Sequence, residues 1–279
     1  DIAVNPTDKS TWYVAVGSGG LWKTTNRGTT WEAIFDAQKS YSIGTVTIDP
    51  NNSAVIWVGT GENVSGRHAA WGDGVYKSKD GGKTWQRMGL EKSEHIGKIL
   101  IDPRNSDVVF VAAEGPLWSA GGERGLYKTT DGGKTWDLVL KIDKNTGVTD
   151  VEFAPSDPEV IYAAAYQRRR NTWSFLAGGP NSGIYKSTNN GDSWHHVTTG
   201  LPKGHMGKIG LAVTPANPEL VYATIEANNK EKGFYKSADK AESWNKQSSY
   251  ISGGTGPHYY QEIEVSTQNP DLIYQMDVF

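Results

Sequence analysis

The sequence predicts an all-β fold, a β-propeller of four-stranded blades with about five and a half blades present. Three observations predict it. An eight-residue motif, Ser/Thr-x-Asp/Asn-x-Gly-x-Ser/Thr-Trp, recurs five times in the 279 residues, at 24–31, 78–85, 129–136, 187–194 and 237–244, the last with Ala241 in the Gly position. Its tryptophans fall 54, 51, 58 and 50 residues apart, the length of one four-stranded sheet with its turns. Between the copies, apolar and polar residues alternate between turn formers, the pattern of strands, and no window of eleven or more residues carries a helical stripe.

Each unit reads as strands a to d. Strand a runs into a Pro turn and an aromatic-bearing strand b follows, as in Val46-Thr47-Ile48-Asp49-Pro50 then Val55-Ile56-Trp57-Val58, or Ile99-Leu100-Ile101-Asp102-Pro103 then Val108-Val109-Phe110-Val111. Pro6, Pro155 and Pro215 open equivalent turns, and Thr267 stands where a sixth Pro is expected. Proline presets a turn dihedral and cannot continue a central strand. A variable loop then leads to strand c (74–78 in the second unit), the motif forms the c–d turn, and strand d closes the unit (84–87). The expected blades are 1–39, 40–92, 93–145, 146–203, 204–250 and an incomplete 251–279. An unclosed ring leaves a sheet edge open. The expectation is therefore one partial propeller from a longer chain, with seven or more blades when whole. The start at Asp1-Ile2-Ala3-Val4, without Met or leader, reads either as a removed leader or as a piece of a longer chain, and the repeats favour the second.

Within the motif, the Asp or Asn side chain is expected to accept hydrogen bonds from its own turn, and the Gly to take a left-handed conformation. The Trp is expected to pack back between neighbouring sheets. Asn26, Asp80, Asp131, Asn189 and Asp239, with Trp31, Trp85, Trp136, Trp194 and Trp244, are accordingly structural residues. Asn in two copies cannot act as a general acid or base, which argues against catalysis by this motif.

Composition narrows the function classes. A net charge of −3 and a pI near 6.1 argue against a nucleic-acid binder. No eighteen-residue apolar run exists to span a membrane as a helix. Eleven Trp, thirteen Tyr and six Phe supply ample core, and the absence of Cys removes disulfides and thiolate chemistry. No metal-ligand spacing, phosphate loop or nucleophile elbow is present, so neither metal nor cofactor is expected.

Blade topology gathers the b–c and d–a loops on one face, away from the motif turns, and loops on a rigid scaffold carry function. The second unit contributes Glu62, Arg67, His68, Trp71 and Asp73; the third Glu114, Trp118, Glu123 and Arg124; the fourth Arg168, Arg169, Arg170 and Trp173. The d–a junctions add His95 and His205, each in a His-x-Gly-Lys-Ile context, and His258, Tyr259 and Tyr260. Acids, arginines and aromatics of this kind suit a sugar chain or an extended peptide. The triple Arg reads either as a solvated or interface-edge charge run or as an anion clamp, and the three tryptophans as sugar platforms or as covers for their own loops. The shared context of His95 and His205 favours a structural role over metal ligation. Glu62 and Asp73 are the candidate acid/base pair, which requires a suitable separation.

The repeated turn resembles the Asp-box, or bacterial neuraminidase repeat. Together with the segments 19–25, 59–62 and 204–209, the whole chain resembles secreted bacterial propellers described as sortilin-like or glycosyl-hydrolase-like. The resemblance implies a secreted, periplasmic or cell-surface bacterial protein that binds or scaffolds a protein or a polysaccharide through its b–c loops. It also implies two alternatives, a glycoside hydrolase related to the xyloglucan hydrolases and a sortilin-like peptide receptor or assembly factor. In the xyloglucan-hydrolase relatives an Asp follows the second strand of the first blade, and Ser18 occupies that place here. A sialidase is less expected still, since the Arg-Ile-Pro motif is absent and no set of three separated site arginines with a Tyr–Glu pair emerges.

Overall fold

The repeats become six antiparallel sheets in the computed structural model, which describes residues 1–251 and 262–276. The first is β1 (Ile2–Val4), β2 (Trp12–Val16), β3 (Gly20–Thr24) and β4 (Glu32–Ala33), hydrogen-bonded in chain order. The second is β5 (Ile43–Ile48), β6 (Ile56–Thr60), β7 (Val75–Ser78) and β8 (Gln86–Arg87). The third is β9 (Ile96–Ile101), β10 (Val109–Ala113), β11 (Gly125–Thr129) and β12 (Asp137–Leu140). The fourth is β13 (Thr146–Ala154), β14 (Asp157–Arg170), β16 (Gly183–Ser187) and β17 (His195–Val197), with β15 (Phe175–Ala177) paired to the far end of β14. The fifth is β18 (Ile209–Val213), β19 (Val221–Ile225), β20 (Gly233–Ser237) and β21 (Asn245–Ser248), and the last pairs β22 (Ile263–Val265) with β23 (Ile273–Gln275). A single 3-10 turn at Glu91–Ser93 is the only helix among the described residues. The fold is the all-β propeller class of four-stranded blades that the repeats predict.

In the second, third and fifth sheets strand b is central and covered on both faces, so its sequence is a continuous apolar run rather than an alternation. Ile56–Thr60, Val109–Ala113 and Val221–Ile225 are buried at every residue.

The chain divides into two compact units, Asp1–Asn63 with Arg67–Leu138, and Val64–Gly66 with Val139–Phe279. In the first, one apolar cluster joins Tyr13, Leu21 and Phe35 of the first sheet to Ile43, Val58 and Tyr76 of the second. Another joins Trp57 and Val75 to Ile99, Val109 and Val111 of the third. In the second unit, Tyr162 and Ile184 meet Leu211, Val221 and Trp244, and Tyr222 meets Ile263 and Val265. The core of each unit thus lies between successive sheets.

The motif turns share one hydrogen-bond pattern. Asp80 Oδ1 accepts from the Thr84 backbone N–H at 2.9 Å and Oδ2 from the Thr84 hydroxyl at 2.6 Å, while Ser78 Oγ accepts from Gly82 N–H at 2.8 Å. Asn26 and Asn189 accept the equivalent backbone N–H, each at 2.9 Å, and donate to Thr30 and Ser193 instead of accepting from them. The fifth motif position is left-handed in every copy: Gly28, Gly82, Gly133 and Gly191 have φ between 84° and 95°, and Ala241 adopts 67°. Trp85 and Trp136 reach the preceding sheet, donating to Ile34 O and Met88 O at 2.8 and 2.7 Å. Trp31 instead leans on Trp12, ring centroids 6.5 Å apart, and Trp194 donates to Gly191 of its own turn.

Candidate functional site

In the first unit the long β6–β7 loop is tied at its base. His95 Nδ1 lies 2.9 Å from Glu62 O, Gly72 N–H donates to Glu94 O at 2.7 Å, and Glu62 N–H donates to Ala70 O at 3.1 Å. His95 is buried in this role. The Glu62 carboxyl is also buried and accepts a hydrogen bond from the Ser18 hydroxyl. Asp73 accepts from the Tyr76 hydroxyl at 2.7 Å and stands 3.6 Å from Arg87. Burial and the Asp73 contact push the Tyr76 phenol above its ordinary value. The two candidate carboxylates therefore have separate partners, one a hydroxyl and the other a phenol with a cation.

Above this base, Arg67 and His68 are exposed and Trp71 is 69% exposed. The β10–β11 loop presents Trp118, 44% exposed. Arg124 organises that loop rather than a ligand: its buried guanidinium donates to Gly121 O, Glu114 O, Pro116 O and Ser119 O. Glu123 accepts from the Lys92 backbone N–H at 2.7 Å.

The second unit corrects the expectation for the triple Arg. Residues 168–170 lie not in a loop but in β14, paired with Ala177, Leu176 and Phe175 of β15. Arg168 is 1% exposed and donates through Nη1 to Val64 O at 3.0 Å and to Ser65 Oγ at 2.9 Å. Arg170 Nε donates to Ser65 O at 2.6 Å, and its guanidinium sits 4.3 Å above the Phe175 ring. Arg168 and Arg170 are thus neither a solvated run nor a clamp; Val64 O and Ser65 Oγ take up Arg168 Nη1, Ser65 O and the Phe175 face hold Arg170, and half-buried Arg169 lies between them. The hairpin they stiffen carries Trp173 at its tip, 89% exposed. His258 and Tyr259 lie outside the described residues.

One residue escaped sequence reasoning. Glu226 follows β19, and strand register gives it the same place as Glu114 after β10: Ile225 and Ala113 stand opposite the equivalent Gly233 and Gly125. Aligning the units on those glycines is the signal that finds it. Desolvation pushes its carboxyl up to about 7, with the Lys208 backbone N–H and the Lys232 charge opposing. His205 lines both a small pocket with Glu226 and a neighbouring one of ≈450 Å³ beside His196 and Leu201. His196 stacks on Tyr185 at 4.8 Å, and burial holds its imidazole below the ordinary value. Among the described residues, no cluster of three or more His, Asp or Glu is placed to hold a metal ion, and no helix is long and apolar enough to cross a membrane.

Comparisons with known proteins fit this architecture. The Sortilin-Vps10 family model (sortilin, neurotensin receptor 3) matches residues 73–175. Xyloglucanase Xgh74A of Acetivibrio thermocellus is 24% identical over 87% of the chain. The vacuolar protein sorting/targeting protein 10 of Coccidioides posadasii is 24% identical over 61% of the chain, which spans 11% of that protein. Among solved structures, the Niastella koreensis GH74 enzyme superposes at a TM-score of 0.71 with 19% identity, covering 96% of this chain and 42% of that one. The GH74 xyloglucanase of Xanthomonas campestris gives 0.70 with 17% identity, covering 98% of this chain and 42% of that one. The chain spans 31% of the length of the Acetivibrio xyloglucanase.

Proposed function

We propose that this chain, an Asp-box β-propeller of the sortilin-like and glycosyl-hydrolase-like kind, is a polysaccharide-recognition module of a longer extracellular protein, reading a xyloglucan-type chain with its b–c loops. One observation carries the proposal: Trp71 and Trp118, both in the first unit, hold 69% and 44% of their surface in solvent on loops whose bases are tied down. An exposed indole on a rigid loop keeps a large apolar face in water, and stacking on a sugar ring removes that cost. The xyloglucanase relatives support the choice of ligand.

Titration calorimetry with xyloglucan oligosaccharides tests it. Trp71→Ala and Trp118→Ala each weaken binding about tenfold, roughly 1.4 kcal/mol, with thermal melting unchanged for Trp71→Ala, the more exposed of the two. Full affinity in both variants, or no binding by the parent chain, rejects the proposal and turns attention to a protein partner.

A second reading, glycoside hydrolysis, is favoured by one contact. The Ser18 position, where the resemblance places an Asp, is met by the Glu62 carboxyl. Hydrolysis of this class normally needs two carboxyl groups. Sugar release that survives Glu62→Gln removes Glu62 from that role.

A further inference from the structure

The second unit holds a small pocket that polysaccharide recognition leaves unused. It encloses ≈170 Å³ between Ala177 and Gly178 at the end of β15, His205 and Met206 ahead of β18, and Glu226 and Ala227 after β19. Backbone ties fix its walls: Gly179 N–H donates to Met206 O at 3.1 Å, and Gly207 N–H to Glu226 O at 2.8 Å. A Cβ on Gly207 would lie 2.4 Å from Glu226 Oε2, so the carboxyl occupies the space a side chain there would fill. That oxygen is buried without a hydrogen bond.

A buried carboxyl is ordinarily matched by a cation or by several donors, because ionising it without them is costly. Glu226 has only the partial help of the Lys208 backbone N–H and the more distant Lys232 charge, and it rests at about 7. The other ionisable side chains nearby are those of His205 and Lys208 ahead of β18 and Glu231 on the connection to β20; Ala177 and Gly178 bring none. Among the described residues, no cation hydrogen-bonds the buried Glu226 Oε2. The pocket's small volume suits an ammonium head with its first methylenes, and its lining is mainly polar.

We propose that this pocket binds the primary ammonium of an alkylamine of the lysine side-chain type, with the Glu226 carboxylate as its counter-ion and His205 at its rim. Binding selects the ionised carboxylate, so a proton leaves as the ammonium enters. This is independent of the polysaccharide reading, since none of its residues carries an exposed tryptophan.

Titration calorimetry of the 279-residue chain with Nα-acetyl-lysine methylamide tests the proposal. The ligand stays cationic throughout, so affinity rises about tenfold between pH 6 and pH 8 as Glu226 ionises. Heats measured near neutrality in buffers of different ionisation enthalpy reveal the released proton. Glu226→Gln, close to isosteric with the protonated acid, loses the pH dependence and most of the affinity; Gly207→Ala blocks the pocket and loses the affinity as well. His205→Gln, which removes the neighbouring imidazole, leaves the dependence in place. The proposal is overturned if affinity is flat with pH, or if it survives Glu226→Gln. It is equally overturned if the neutral norleucine analogue binds as well, or if glucosamine binds while the lysine derivative does not.

Discussion

Arg168 shows how far a residue's chemistry depends on what its neighbours leave unsatisfied. A charged side chain is taken out of water only where hydrogen bonds replace hydration, and here Val64 O and Ser65 Oγ supply them. Arg168→Met strands both acceptors and is expected to lower unfolding free energy by about 1–3 kcal/mol, read from the urea midpoint. Arg168→Lys recovers little of the loss, because an ammonium cannot reproduce the planar fork. Arg67→Ala, on an exposed side chain of the first unit, stays within about 0.5 kcal/mol. Three adjacent arginines looked alike in sequence. They differ because alternate residues of β14 face opposite ways, which buries Arg168 and Arg170 and leaves Arg169 half-exposed.

At the scale of elements, the b–c loops are as informative at their bases as at their tips. Gly61 leaves β6 with φ +89°, and a Cβ there would sit 1.9 Å from Glu94 O. Both the left-handed backbone and the close approach require glycine. Gly61→Ala is expected to cost at least about 2 kcal/mol, visible as a lower melting temperature, and to loosen the loop that presents Trp71. Strand order was legible because b strands buried on both faces read as unbroken apolar runs between Pro turns and Gly-led c strands. The β14–β15 hairpin was not, since Gln167-Arg168-Arg169-Arg170 carries none of the apolar alternation that marks a strand. Its pairing rests on backbone bonds to β15 and on buried guanidiniums that only a folded partner satisfies.

Across the whole molecule, the repeated turn sets a response to acid. Hydrogen bonds from Thr84 and Ser78 hold the Asp80 carboxyl down to about 2; those of Ser243 and Ser237 do the same for Asp239, and Thr135 and Thr129 hold Asp131 low as well. The native carboxyls bind protons less readily than unfolded ones, so this stabilisation is full above the unfolded value near 4. It is lost as pH falls through the native values, between about pH 4 and pH 2. A chain carrying Asp80→Asn, Asp131→Asn and Asp239→Asn keeps the fold, since Asn26 and Asn189 already form the turn. Its melting temperature falls less over that interval than that of the parent; an equal fall in both proteins rejects the account.

What the sequence by itself determined is the repeat: the motif spacing, the Pro turns and the buried b strands specify blades through local and nearest-neighbour rules, which periodicity records directly. The exposed Trp71, Trp118 and Trp173 were likewise nameable as loop residues, although nothing local set how far each stands in solvent. Tertiary structure alone decided the rest. Burial turned Arg168 and Arg170 from candidate ligand contacts into supports and gave Glu62 to Ser18. It also took one oxygen of Glu226, an acid at a strand end, out of water with no hydrogen-bond partner among the described residues. These outcomes depend on desolvation and on which donors residues distant in sequence bring near, and a one-dimensional pattern does not carry that quantity.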